Sequence, residues 1–374
     1  MNKFKEMVVY YPSVEHGGME KNLLNMFNHI AEKKKIKVTF FSTYINNKTK
    51  KNISKEISIV QYKTTKKIFF NRFSISIISF LFFYTKIKKS FSKKNTIIFS
   101  AQNSIFAIIL SNILGFKVLV RNGNHPWSSL IYADNFFLGF FSFFLRLFFY
   151  NFADKIVVNS SKSKNFFKFF LLNKKKIKCI SNSTILNLNL RKKKRKNFFV
   201  TAGRLTKQKN LETLINAFSI FSKKYKDYKL LILGEGTKKK DLINLAKEKK
   251  IYNKIAFKNY VNNPLDTFLS SKAYICTSLY EGLPNSIIEA LNAYTPVIST
   301  NCLSGPEEIL NGGKYGYLIP LKDYKTLANK MVYVVENYKL AIKKSSLGHK
   351  SLKRYNVKEI TSKYLMEIND LFAK

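Results

Sequence analysis

Two carboxylates, Glu281 and Glu289, stand eight positions apart in SLYEGLPNSIIEAL, residues 278–291, directly behind the apolar run AYICTS. Pro284 with Asn285 or Ser286 starts a helix there, and the loop before it offers exposed amides and a positive helix end to an anionic ligand, with Glu281 alongside. Glu289 also has a plainer reading. Ser286 and Glu289 match the S-x-x-E capping box, in which two side chains close a helix N-terminus reciprocally. A second segment, VTAGRLTKQKNLETL, runs from strand end to helix start and presents Arg204 and Lys209 from one loop directly behind Gly203. A guanidinium can bind phosphate oxygens in a bidentate manner while an ammonium supplies a point charge. Arg204 is one of only seven arginines in a lysine-dominated chain, whereas Lys207 reads as solvated surface. Third, Gly17 and Gly18 in SVEHGGMEKNLLNMF join a strand to a helix; they would let a ligand approach the backbone, and they fit an ordinary loop equally well. Neither GxGxxG nor GxxxxGK[ST] occurs at these places, which disfavours a dinucleotide fingerprint and a P-loop.

The elements that must position these residues alternate along the chain. Short β-rich runs occur at 7–11, 36–41, 57–61, 96–100, 117–120, 155–158 and 177–180, separated by longer helical stretches. A polar, basic stretch follows Ser183, and a second series begins at 198–202 and continues at 229–233, 254–257, 273–277 and 296–300. Leu211, Leu214, Ile215, Phe218 and Phe221 give the helix behind the first of these one apolar face. The fold class expected is α/β, with two tandem Rossmann-like, doubly wound domains facing a central cleft. The boundaries expected are an N-terminal domain at 1–185, a basic linker at 186–197, a second domain at 198–350 and a closing helix at 351–374. Ligands of such sheets bind beyond the carboxyl ends of the strands.

A length of 374 residues suits two domains, and a hydrophobic fraction of 46% excludes a disordered polymer. Sixty-six basic residues against 22 acids give a net charge of +44, which implies a polyanionic partner, an anionic surface or a compositional bias toward lysine. The RKKKRK run at Arg191–Lys196 raises nucleic-acid binding as a reading from a different class, but no recognised nucleic-acid module accompanies it, and the run reads as an exposed linker. Cys179, Cys276 and Cys302 are far apart and odd in number, so neither a disulfide framework nor a zinc site is expected, and a reducing cytoplasm fits. The N-terminus shows no secretory leader pattern. The aromatic segments 73–84 and 136–150 are shorter than the roughly 20 apolar residues that a spanning helix needs. They are expected as core helices first and as membrane-interface helices second, with Lys86, Lys88 and Lys89 near the first.

Taken together, GG near the start, ISNS at 180–183, GRLTKQKN, LGEG at 233–236, FKNYVNNP at 257–264, EGLPNSIIEAL and SGPEEILNGGKYGYLIP at 304–320 resemble the retaining glycosyltransferases of the GT-B fold, family 4. Their E-x7-E motif is matched by Glu281 and Glu289, and the resemblance covers nearly the whole chain. It implies that Glu289 binds the donor ribose, Glu281 contacts the donor sugar, and Arg204 with Lys209 holds the diphosphate. Gly203 and the backbone from Leu283 through Pro284 and Asn285 to Ser286 would help bind sugar and phosphate. The stretch from Asn259 through Tyr260 to Val261 would face the nucleobase, and Gly17 with Gly18 would approach the diphosphate from the N-terminal domain. The resemblance departs at one place. Many members carry a histidine directly after the strand matched by KVLV, where this chain has Arg121, with His125 four residues on. His125 is the candidate to replace it; His16, His29 and His349 read as surface or packing residues.

The activity implied is transfer of a hexose or N-acetylhexosamine from a nucleotide sugar, UDP-linked, to a lipid-linked or lipid-anchored glycan in surface-polysaccharide or lipopolysaccharide assembly. It would run at the cytoplasmic face of the inner membrane, with the enzyme peripheral on an anionic surface. No metal and no cofactor beyond the nucleotide-sugar substrate is expected, because two cations can stabilise the leaving diphosphate. A GT-B sugar-nucleotide epimerase is the nearest enzyme alternative.

Overall fold

A computed structural model describes residues 4–373 apart from 16, 35, 63–71, 103, 132–135, 186, 188–192 and 262. The chain divides into two compact units, residues 1–183 with 357–374, and residues 184–356. In the first, parallel strands β1 (Glu6–Tyr10), β3 (Lys37–Ser42), β5 (Ile57–Gln61), β6 (Thr96–Ser100), β7 (Lys117–Asn122), β8 (Lys155–Val158) and β9 (Ile177–Cys179) form one sheet in the order β5-β3-β1-β6-β7-β8-β9. The two-residue strands β2 (Ser13–Val14) and β4 (Tyr44–Ile45) pair separately beside it. Strands β6 and β8 are buried along their whole length, as expected where helices cover both faces of a parallel sheet.

One face of this sheet carries the helix Gly18–Lys34 through Leu23, Phe27 and Ile30, together with the final helix Val357–Leu371 through Ile360, Tyr364 and Ile368. Lys155 secures the latter, its ammonium 2.7 Å from Glu367 and 3.0 Å from Asp370. The closing segment therefore belongs to the first unit and begins at Val357. It does not start at 351, because Leu352–Tyr355 forms a 3-10 turn whose Leu352 and Tyr355 are buried in the other unit's core.

The opposite face is covered by the helices Arg72–Ser90, Ser104–Leu114, Phe136–Tyr150 and Ser161–Phe170. Here the two aromatic segments part ways. The side chains of residues 72–76 and 78 lie outside the described ones. Beyond them, Phe83 and Ile87 are buried, Phe80, Phe82 and Tyr84 pack on the core, and Ile77 and Leu81 are exposed, so the described part of this helix turns one aromatic stripe to the core. The helix Phe136–Tyr150 buries only part of its circumference. No helix among the described residues is long and apolar enough to cross a membrane.

In the second unit β10 (Phe198–Ala202), β11 (Lys229–Leu233), β12 (Ile255–Lys258), β13 (Ala273–Cys276), β14 (Val297–Thr300) and β15 (Tyr317–Ile319) form a parallel sheet ordered β12-β11-β10-β13-β14-β15. The helix Leu211–Lys224 buries Leu211, Leu214, Ile215, Phe218 and Phe221, the face expected from their spacing. β15 escaped the sequence reading because only three residues separate Gly316 from Pro320, too few to show a period. The basic run also differs from expectation: Arg195 is built into this unit. Its guanidinium donates to the carbonyls of Phe268 (2.6 Å), Ala293 (2.8 Å) and Tyr294 (3.0 Å), tying down the C-terminal ends of two helices. The expected exposed linker is thus, at this position, an anchor bonded to carbonyls at the ends of two helices.

Candidate active site

In strand-number terms the second sheet runs 3-2-1-4-5-6, so its topological switch point lies between β10 and β13, where connections leave in opposite directions and open a crevice at the carboxyl ends. The loop behind β10 carries Gly203, Arg204 and Lys209, and the loop behind β13 carries Glu281. The two loops are bonded to each other. Leu279 N donates to Gln208 O at 2.8 Å, Gln208 Nε2 to Tyr280 O at 2.9 Å, and Thr277 Oγ1 to Lys209 O at 2.9 Å.

Lys209 and Glu281 meet as an ion pair through Nζ and Oε1, with side chains only 19% and 9% exposed. Ser278 Oγ donates to the same carboxylate oxygen at 2.7 Å. Burial alone would lower the Lys209 pKa; the Glu281 carboxylate outweighs it and holds the ammonium above its ordinary value. Lys209 is therefore a fixed cation at the switch point. Its stem crosses Gly203, where a Cβ would stand 3.0 Å from Lys209 Cε. Arg204 is exposed and makes no ion pair among the described residues, so its guanidinium is available to a ligand.

Two glycines hold these loops in place. A Cβ on Gly234, at φ +149°, would lie 1.9 Å from Gly203 O, so LGEG packs backbone to backbone under the arginine loop. A Cβ on Gly305, at φ +90°, would lie 2.4 Å from Gly282 O, and Ser304 Oγ donates to that same carbonyl at 3.0 Å. LGEG and SGP thus act through the loops they support.

Glu289 lies half-buried on the helix Asn285–Asn292, but the capping box does not form as read from the sequence. The N-cap is Pro284, without a side-chain cap bond, and Ser286 already lies inside the helix, its hydroxyl accepting from Tyr274 at 2.6 Å. Leu283 is buried, and Asn285 Oδ1 accepts from Thr184 at 3.2 Å. Tyr260 and Val261 follow β12, two strands from β10, and sit away from the switch point. Sequence reasoning missed Ser278, Thr277 and Gln208. The Thr-Ser pair closing an apolar strand is a signal that could have suggested the first two.

The first unit repeats the switch-point pattern between β1 and β6, and Gly17 and Gly18 stand in the loop behind β1. Neither has a positive φ. At Gly17 a Cβ would come within 2.9 Å of Glu20 Oε2, so the missing side chain makes room for a buried carboxylate that also accepts from Tyr11. His125 is buried behind β7, edge-on to Phe166 with ring centroids 5.4 Å apart. Burial, and then the Lys162 charge, lower its pKa. Arg121 is buried too, donating through Nη2 to Asn182, while its Nη1 has no hydrogen-bond partner among the described residues. His16 lies outside the described residues. No group of three potential metal ligands occurs among the described residues.

The profile of the family described as Glycosyl transferases group 1 matches residues 185–350, which include Arg204, Lys209, Glu281 and Glu289. The chain is 30% identical over 309 residues to an uncharacterised glycosyltransferase of Methanocaldococcus jannaschii, covering 71% of this chain and 74% of that one. It is 27% identical over 242 residues to the N-acetylgalactosamine-N,N'-diacetylbacillosaminyl-diphospho-undecaprenol 4-alpha-N-acetylgalactosaminyltransferase of Campylobacter jejuni, covering 63% and 65%. Among solved structures, Anabaena HepE in complex with UDP and glucose superposes with a TM-score of 0.80 at 16% identity, over 98% of this chain and 99% of that one. That likeness shows the GT-B fold.

Proposed function

The chain belongs to the group 1 glycosyl transferases, and from that premise we propose that it moves a hexose or N-acetylhexosamine from a UDP-sugar to a lipid-linked or lipid-anchored glycan, with retention at the anomeric carbon and without a metal ion. The observation that carries this reading is the placement of Arg204 and the Glu281-bound Lys209 at the switch point of the second sheet, where an anionic ligand is expected. The UDP held by HepE and the diphospho-undecaprenol acceptor named for the Campylobacter relative support the donor and acceptor classes. Assembly of surface glycans at the cytoplasmic face is the setting that fits them.

In this reaction the bond from the anomeric carbon to the diphosphate oxygen breaks while the acceptor oxygen bonds that carbon from the same face. The acceptor proton passes to the leaving phosphate oxygen, so no side-chain base is required. Negative charge grows on the diphosphate, and Arg204 and Lys209 stabilise it; Lys209 does so at little reorganisation cost because Glu281 already orients it. Glu281 also faces the sugar, Glu289 takes the ribose hydroxyls, and the amides from Leu283 to Ser286 receive phosphate and sugar. Tyr260 and Val261 flank the base, and Gly17 and Gly18 leave backbone accessible in the first unit.

The test is incubation with UDP-sugars and a polyprenyl-diphosphate-linked glycan in the presence of chelator, with the product's anomeric configuration read by NMR. An α-linked product from an α-linked donor is expected. An inverted product, absolute dependence on divalent metal, or release of a free epimerised sugar contradicts the proposal, the last favouring the epimerase.

A further inference from the structure

The helix Phe136–Tyr150 presents two apolar stripes. Phe143, Leu147 and Tyr150, at i, i+4 and i+7, are buried in the first unit's core. About a third of a turn away, Phe137, Phe141, Phe144 and Phe148, at i, i+4, i+7 and i+11, are 83%, 65%, 49% and 59% exposed. A surface helix ordinarily places polar side chains there. The patch extends past the helix. Phe170 meets Phe143 edge-on with centroids 6.3 Å apart, Leu172 N donates to Asn151 Oδ1, and Phe169 and Leu172 are among the most exposed apolar side chains of the described residues. So much contiguous aromatic surface marks a binding face.

Its surroundings are cationic. Between residues 136 and 176 there is one acid, Asp154, against Arg146 and seven lysines, of which Lys155 is buried and paired with Glu367 and Asp370. Asp154 is engaged with the Val118 amide at 2.8 Å and with Lys117. Lys162, Lys168, Lys174 and Lys175 are exposed.

We propose that this face lies in the interface of a bilayer containing anionic lipid, with the phenylalanine rings at the headgroup–acyl boundary and the lysines against lipid phosphates. The buried stripe fixes the helix flat against its sheet, so it can lie in the interface but cannot cross. A second copy of the chain is the poorer occupant: a symmetric pairing would set one lysine rim against another with almost no acid to neutralise it. Docking would bring the first unit to a lipid-linked acceptor, and in that respect it builds on the acceptor class proposed above. Vesicle binding requires no turnover, so either reading can fail without the other.

The full chain is co-sedimented with vesicles of phosphatidylglycerol and phosphatidylcholine, and with phosphatidylcholine alone. Binding to the mixed vesicles, weakened by salt, is expected. The triple variant Phe137→Ser, Phe141→Ser, Phe148→Ser should bind about tenfold more weakly or less, while retaining its thermal melt and its affinity for UDP. Lys168→Glu, Lys174→Glu, Lys175→Glu should weaken binding more than Lys238→Glu, Lys239→Glu, Lys240→Glu in the other unit. Three results overturn the proposal: no vesicle binding, binding untouched by the serine variant, or equal loss from both lysine sets. A wild-type dimer in light scattering that the serine variant dissociates overturns it in favour of a self-association face.

Discussion

Lys209 and Glu281, from the loops behind adjacent strands β10 and β13, form an ion pair whose carboxylate oxygen also accepts from Ser278 at 2.7 Å. The first acid of the E-x7-E spacing and the lysine proposed to hold the diphosphate are therefore one unit, and their removal should not be additive. Glu281→Gln strips a mostly buried ammonium of its counter-charge and should cost about 3 kcal/mol of stability as well as transfer activity. Lys209→Met combined with Glu281→Leu should recover much of that stability and none of the activity. A urea-denaturation double-mutant cycle measures the coupling.

Arg204 is the opposite case, because its side chain is exposed and makes no ion pair among the described residues. Arg204→Ala should leave stability within about 0.5 kcal/mol of wild type and lower transfer roughly 10²- to 10³-fold. Thermal melts alongside initial rates separate the two effects.

Glu289 does not close a box with Ser286, since the N-cap is Pro284 and Ser286 lies inside the helix. Glu289→Gln should fold as wild type and bind a UDP-sugar less tightly by about 1.5–3 kcal/mol, roughly tenfold or more, as expected for loss of a charged hydrogen-bond partner. Calorimetric titration reads this directly; unchanged affinity would remove Glu289 from the ribose site.

His125 titrates in the direction set by its burial. Its folded pKa lies below the usual 6.5, so the unfolded chain binds the proton more readily. Stability is then unaffected at neutral pH and declines as pH falls through about 6.5, the full penalty being reached below the folded value. In His125→Gln the urea midpoint should fall less than in wild type between about pH 7.5 and pH 5.5.

Much of this architecture was legible from periodicity. β5, β6, β8, β10 and β11 lie where their apolar runs placed them, and the helix Leu211–Lys224 buries its expected face. The errors share one cause, which is that a side chain's partner need not be near it in sequence. Arg195 read as linker because its acceptor carbonyls lie about 70 to 100 residues further along the chain. The final helix read as a separate piece because the Lys155 that holds it is more than 200 residues away. Spacing suggested a cap for Ser286, but Tyr274 takes its hydroxyl. Arg204, Lys209 and Glu281 were singled out from the sequence, whereas the bond between the last two, which makes Glu281 a positioning group for the lysine, appears only once β10 and β13 are neighbours.

In the proposed reaction Arg204 and Lys209 receive the diphosphate of a nucleotide-sugar donor. The most direct measurement is calorimetric titration of UDP and of uridine into the wild type and Arg204→Ala, all in chelator. UDP should bind the wild type at least about tenfold more tightly than uridine does, and Arg204→Ala should lose most of that difference while leaving uridine affinity unchanged. Equal affinity for UDP and uridine, or a difference that survives the substitution, would contradict it.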